Sequence, residues 1–263
     1  ILWSKPIFRG IASLYEAMKM GMSTLQWSAD ISYPEESSEG ILSKIMDIMT
    51  TIFSITLAIS LFMVLPMWLT TKLLSIEKEA LWFNISSGVF RIIFFVVYLF
   101  LISKMKDIAR LFQYHGAEHK VVYNFESGND LSVAEAQSFP TQHPRCGTSF
   151  MFIVLLSAIF VFAIVDTIII YYFGTISLST RLLFHLPLIP LVSGIGYELI
   201  KITSKNDRLI FRILKAPGIL LQNITTKQPD DKMIEVSIAA LKDAFGDEYD
   251  NFVGKKYTAE AIG

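Results

Sequence analysis

The sequence predicts an all-α, polytopic membrane protein with four transmembrane helices plus amphipathic cytosolic or interfacial helices. Three observations predict it. Of the 263 residues 52 % are hydrophobic and only 18 % charged, which is poorer in charge than an ordinary soluble domain. Four stretches are each long and apolar enough to cross a hydrocarbon core about 30 Å thick at 1.5 Å per residue. Elsewhere the apolar residues recur at helical spacing rather than in alternation. The formal net charge of −1 supplies no basic field, so nucleic acid is not indicated as a partner. Cys146 is the only cysteine, which excludes an intramolecular disulfide.

Residues 1–29 hold an amphipathic helix: Phe8, Ile11, Leu14, Tyr15, Met18, Met22 and Leu25 share a face, and Arg9, Glu16 and Lys19 fall elsewhere. It is too polar to span and is expected at the membrane surface, in contact with lipid, or packed on a cytosolic layer. No cleavable signal peptide is visible, since charges occur throughout this region. Residues 30–43 are acidic and broken by Pro34, as a linker would be. Within residues 44–103, Ile48 to Leu69 carries no formal charge and makes the first span, with a tolerated kink at Pro66. Asn84 to Ile102, interrupted only by Arg91, makes the second. Within residues 148–200, Thr148 to Tyr172 with Asp166, and Leu182 to Leu199 with His185 and Glu198, make the third and fourth. Ionisable groups inside spans are costly unless paired. An Arg91 to Asp166 pair with His185 nearby is therefore expected.

Lys and Arg concentrate before the first span and between the second and third. By the positive-inside bias both termini and the 104–147 segment face the cytoplasm. In that segment Ser127 to Asp130 reads as a turn, and Ser132 to Glu135 as a capping box whose helix stops near Pro140. Thr148 or Ser149 is expected to cap the third span, with Cys146 just ahead of its positive end. In the tail, residues 201–263, DRLIFRIL at 207–214 reads as an interfacial helix that Ala216-Pro217-Gly218 punctuates. Pro229-Asp230-Asp231 starts another helix, ending near Gly246, and the residues beyond look frayed.

The chemistry concentrates at Gln113 to Lys120, QYHGAEHK. On a helix, His115, Glu118 and His119 lie within one turn of each other. The pattern H-x-x-E-H is the inverted zinc-hydrolase signature, in which the histidines bind an ion and the glutamate serves as base. With four His in the chain, its chance occurrence is on the order of 0.003 per sequence. Two histidines do not complete a site. His143 and Cys146, with them, would close a structural tetrahedral set. Glu198 would instead complete a His-His-Glu site that leaves room for water. Each has a plain alternative: Cys146 as a small buried residue, Glu198 as an interfacial acid paired with Lys201 or Lys205. Arg145 or Lys120 would hold an anionic group or a developing oxyanion. Both are also ordinary positive-inside charges.

The runs HGAEHK at 115–120, HPRCGTSF at 143–150, YELIK at 197–201 and APG…LQNITTKQPDD at 216–231 together resemble the YqhQ-like family of bacterial polytopic membrane proteins. The similarity extends from about Pro6 to Leu241, and PIFRG…SLYEAM matches the family's early helix. The resemblance implies a metal-dependent enzyme with His115, Glu118, His119, His143 and Cys146 as site residues. Members of that family carry a glycine-rich stretch like GGQAVMEGVMMR ahead of the position of Ile1. Two functions are expected to compete. One is a hydrolase using zinc or another divalent transition metal on a lipid-linked or membrane-peptide substrate, with Glu118 as catalytic base. The other is a non-catalytic scaffold or chaperone-like factor engaging the translocation or ribosome machinery.

Overall fold

The computed structural model describes residues 5–32, 41–144, 146–204 and 208–257. Their regular secondary structure is all helical, with no strand among them. The expected linker at 30–43 falls mainly on residues outside those described, as does Arg145. In chain order, α1 is Phe8–Ser32. Then α2 (Ile41–Ile59), a π-helical turn (Ser60–Val64) and α3 (Leu65–Leu74) make the first span. The second is α4 (Ala80–Ile102). After α5 (Lys106–Ser127) and α6 (Val133–Ser138), the third is α7 (Gly147–Phe173). The fourth is α8 (Leu178–His185), a 3-10 turn and α9 (Ile189–Ser204), and the chain ends with α10 (Leu209–Thr225), α11 (Asp231–Phe245) and α12 (Tyr249–Phe252). Four helical stretches, Ile45–Leu74, Ala80–Ile102, Gly147–Phe173 and Leu178–Thr203, are long and apolar enough to cross a membrane. The protein is a polytopic, all-α membrane protein.

The punctuation of the first and fourth spans follows from proline. Pro66 has no N–H to return to the preceding turn, and the backbone widens into the π turn just before it. Likewise a 3-10 turn containing Pro187 precedes Pro190. At Pro217 the outcome differs from expectation. The helix α10 runs through it unbroken, because the turn is held from outside: a Cβ on Gly218 would lie 2.5 Å from Ser149 Cα, so the backbones of α10 and the start of α7 meet there.

The chain divides into two compact units. The first comprises Ile1–Phe95 and Val154–Glu198. Its apolar cores are Met63, Met67 and Phe83, and Ala158, Phe162 and Val192. Helix α1 is anchored at its start, where Gly10 lets the backbone approach Tyr197 and Gly194, and its later residues are exposed. The expected Arg91 to Asp166 pair does not form. Arg181 takes Asp166 Oδ2 instead, Asn84 Nδ2 donates to the same oxygen at 2.7 Å, and His185 Nε2 donates to Oδ1 at 2.9 Å. The physical reason is reach: Arg181 also caps the Glu77 carbonyl and lies over the Phe83 ring, so α8 delivers a guanidinium that α4 was expected to supply.

The second unit comprises Val96–Ile153 and Leu199–Gly263. Helix α11 packs on α5 and α6 through Ala117, Val121, Ala136, Met233 and Ile234, with Tyr114, Leu131, Val133, Ile238 and Leu241 at the margin. Several sequence signals recur as structure. Ser132 caps α6 through Glu135 N, and Asp230 caps α11 through Met233 N at 2.9 Å. Gly128, with φ of 75°, ends α5. The residues after Gly246 are not frayed as far as they are described. Tyr257 N donates to Glu126 O at 2.9 Å and its ring stacks on Phe125, so aromatic burial ties this segment back to α5.

Candidate metal centre

Helix α5 carries His115, Glu118 and His119, as the H-x-x-E-H spacing requires. Its position is fixed by Gly116. A Cβ there would lie 2.1 Å from the Lys227 carbonyl oxygen, so only glycine lets the segment after α10 cross the helix at this point. Lys227 N also donates to Phe112 O at 2.8 Å. The close crossing places the end of α10 beside one histidine, and the loop before α7 beside the other.

Each imidazole is oriented by a main-chain carbonyl. His115 Nδ1 lies 2.8 Å from Thr225 O, and His119 Nδ1 lies 2.5 Å from Thr141 O. A carbonyl only accepts, so each Nδ1 carries a proton, and each Nε2 offers a lone pair whenever its ring is neutral. The same arrangement holds the histidine ligands of metal sites, where the second ring nitrogen donates to a carbonyl or carboxylate. The two rings sit 4.5 Å apart at 63°. Cys146, immediately before α7, brings Sγ to 3.3 Å from His115 Nε2, and Thr148 Oγ1 donates to the sulfur at 3.3 Å. The helix begins at Gly147, so Thr148 and Ser149 lie within its first turn and neither is its cap as expected; Thr148 is spent on this sulfur.

Ligand atoms of His115, His119 and Cys146 all lie within 4.8 Å of one another. In a tetrahedral zinc site with bonds of about 2.0 Å to nitrogen and 2.3 Å to sulfur, neighbouring ligand atoms stand about 3.5 Å apart. The imidazole to sulfur distance fits that, and so does the donor chemistry. Burial opposes ionisation of the Cys146 thiol, but hydrogen bonds from His115, His119 and Thr148 outweigh it and hold the thiol down to about 5. The hydrogen bond to Cys146 in turn raises the His115 pKa above its ordinary value, against the opposing effect of burial.

These residues open on a pocket of about 270 Å³ lined by His115, Glu118, His119, Val122, His143, Cys146 and Gly147. Glu118 is solvent-exposed on its wall. His143 is on the wall too, with its ring 5.5 Å from that of His119, and lies outside the His115, His119, Cys146 grouping. Its Nε2 lies 3.8 Å from Glu126 Oε2. Glu198 is not part of the grouping. Its two carboxylate oxygens accept from Arg9 Nε at 2.6 Å and Arg9 Nη2 at 2.5 Å, a bidentate pair that gives the carboxylate a different occupation from ligation. Lys120 is no anion holder either. It is buried, and its Nζ donates to Gln137 O at 2.8 Å and Phe139 O at 2.6 Å, tying down the end of α6.

Three positioning residues went unnoticed in the sequence. Thr141 and Thr225 act through their carbonyls, which no side-chain pattern announces. Gln222 is fully buried and pairs with the His143 backbone on both sides, accepting from N at 2.6 Å and donating to O at 2.9 Å. The signal that could have found it is the polar run Gln222 to Gln228 closing an otherwise amphipathic helix.

A family model described as "Protein of unknown function (DUF1385)" matches residues 5–247. The chain is also similar to an uncharacterized protein YqhQ of Bacillus subtilis (strain 168), 29 % identical over 253 residues, 90 % of this chain and 76 % of the relative. No solved structure matches.

Proposed function

The chain belongs to the family described as protein of unknown function (DUF1385), and from that premise we propose that it is a metal-dependent membrane hydrolase. In this reading His115, His119 and Cys146 hold zinc or another divalent transition ion, with Glu118 as general base. The observation that carries it is the joint fixing of two imidazoles by the Thr225 and Thr141 carbonyls, with a thiol against them in a polar pocket. Three protein ligands with a position left over is the catalytic pattern for zinc, whereas four mark a structural site. When bound, the ion acts as a Lewis acid and brings the pKa of water near neutrality. Glu118 takes the proton of the attacking water and returns it to the leaving group. Thr148 orients the sulfur, and Gln222 holds the loop that bears His143.

The substrate class follows from place. Gly147 both lines the pocket and begins a membrane-spanning helix, so a carbonyl or phosphoryl centre on a lipid-linked molecule or membrane peptide would reach it from the bilayer surface. The Lys and Arg bias supports a cytosolic orientation of this face at a bacterial plasma membrane. The test is Glu118→Gln in purified protein incubated with a total bacterial membrane extract, products being followed by mass spectrometry. We expect the bound metal to be kept and hydrolysis to fall by about 100-fold or more, the range for loss of a general base. Hydrolysis at the wild-type rate would overturn the assignment.

A second reading is favoured by one observation. Cys146, His115 and Thr148 already satisfy each other by hydrogen bonding, as a structural cluster in a scaffold would. In that case Glu118→Gln leaves cellular function intact, and the exposed face of α1 engages a membrane or translocation-machinery partner.

A further inference from the structure

Arg91 lies at the midpoint of α4, about 16 Å from either end of the helix, and is only 6 % exposed. Nothing among the described residues accepts from its Nε or its Nη2. Its natural partner is engaged elsewhere: Asp166 accepts from Arg181, Asn84 and His185, and reaches Arg91 through its charge without a hydrogen bond. Arg181, by contrast, is provided for, with Nη1 on Asp166 and Nη2 on the Glu77 carbonyl. One turn before Arg91 on the same face, Ser87 is completely buried, and its Oγ has no partner either. The Phe162 ring backs the guanidinium at 5.8 Å.

The identity of the two idle nitrogens matters. Nε and Nη2 form the side-on edge of a guanidinium, whose two parallel N–H groups match the two oxygens of a carboxylate or phosphate. This chain uses that same edge elsewhere: Arg9 grips Glu198 through Nε and Nη2 at 2.6 and 2.5 Å. A buried cation with an unused fork costs more than an exposed one unless an anion meets it.

We propose that Arg91 is an oxyanion receptor within the membrane-spanning unit, its side-on edge and Ser87 Oγ together binding a carboxylate or phosphate group. At this depth an amphiphile is the favoured carrier, because the helix that bears Arg91 is long and apolar enough to cross a membrane, and an anion that reaches its midpoint is best accompanied by an alkyl chain. The proposal is independent of the hydrolase reading and of the metal site.

The test uses the full chain, delipidated in a neutral detergent, and reads thermal unfolding and direct binding. The probes are dodecanoate, dodecanol and inorganic phosphate. Dodecanoate is expected to raise the melting temperature of the wild type while dodecanol does not. The shift disappears in Arg91→Gln, and Arg91→Lys, which keeps the charge but loses the fork, weakens dodecanoate binding by about 10-fold. Inorganic phosphate matching dodecanoate would uphold the receptor and identify its ligand as a free ion. Ser87→Ala keeps the guanidinium and covers the case in which Arg91→Gln does not fold; it is expected to weaken dodecanoate by a few fold. Equal shifts from dodecanol and dodecanoate, an undiminished shift in Arg91→Gln, no shift from any probe, or unchanged affinity in both Ser87→Ala and Arg91→Lys would each overturn it.

Discussion

Cys146 is where local chemistry is most sharply defined. Burial works against its thiolate, yet hydrogen bonds from His115, His119 and Thr148 bring it to about 5, well under the ordinary thiol value of about 8.5. Because the folded value is depressed, the thiolate contributes stability above the unfolded value, and that contribution is lost as pH falls through the folded one. His115 runs the other way: its raised folded value stabilises fully below about 6.5 and the effect fades as pH rises through it. The thiolate and imidazolium therefore coexist from about 5 up to the raised His115 value. In metal-stripped protein, iodoacetamide should alkylate Cys146 at a rate nearly flat between about pH 6.5 and 8, while in His115→Ala the rate climbs by up to about tenfold per unit. A wild-type rate that climbs in the same way would remove the pairing. The sequence offered this residue both as a ligand beside His115 and His119 and as a small buried residue ahead of a helix, and could not choose between them, because the contact of the sulfur with His115 joins positions 31 residues apart. Glu198 shows the converse: it reads equally as a ligand or as an interfacial acid paired with a nearby lysine until its partner Arg9, 189 residues away, is known.

Helix α5 was legible as an element because its chemistry is local, with H-x-x-E-H fixing one face and Gly128 its end. What the pattern could not reveal is the crossing at Gly116, where backbone meets backbone. A methyl group there collides with the Lys227 carbonyl, which has little freedom to move while Lys227 N is bound to Phe112 O. Gly116→Ala should thus cost about 1–3 kcal/mol, in the range of core overpacking. It should also weaken metal affinity by about 10-fold or more, because the Thr141 and Thr225 carbonyls that orient the rings shift with it. Chelator competition beside thermal unfolding measures both, and affinity equal to wild type would show that the crossing does not position the site. Helix α10 makes the same point about range. Proline and glycine read as a break at 216–218, yet the close seat of Gly218 against Ser149 keeps the helix intact. Local breakers lose to tertiary contact when the packing partner lies far away in sequence.

For the whole molecule, the four spans were readable to within a few residues because hydrophobic length is a one-dimensional property of the chain. The pairing of charges within them was not: Arg91 was the partner expected for Asp166, whereas Arg181, one residue before the apolar stretch that opens at Leu182, falls outside a count of charges within spans. Spans and amphipathic helices give the protein its class, and the His115, His119, Cys146 cluster gives it a candidate chemistry. An ion at that cluster is what the proposed chemistry requires, and X-ray absorption at the zinc edge of the zinc-loaded protein reads this most directly. One zinc per chain with two imidazole nitrogens and one sulfur in its shell, the sulfur disappearing in Cys146→Ser, is the predicted result. No stoichiometric zinc, or a shell without sulfur that Cys146→Ser leaves unchanged, would contradict it.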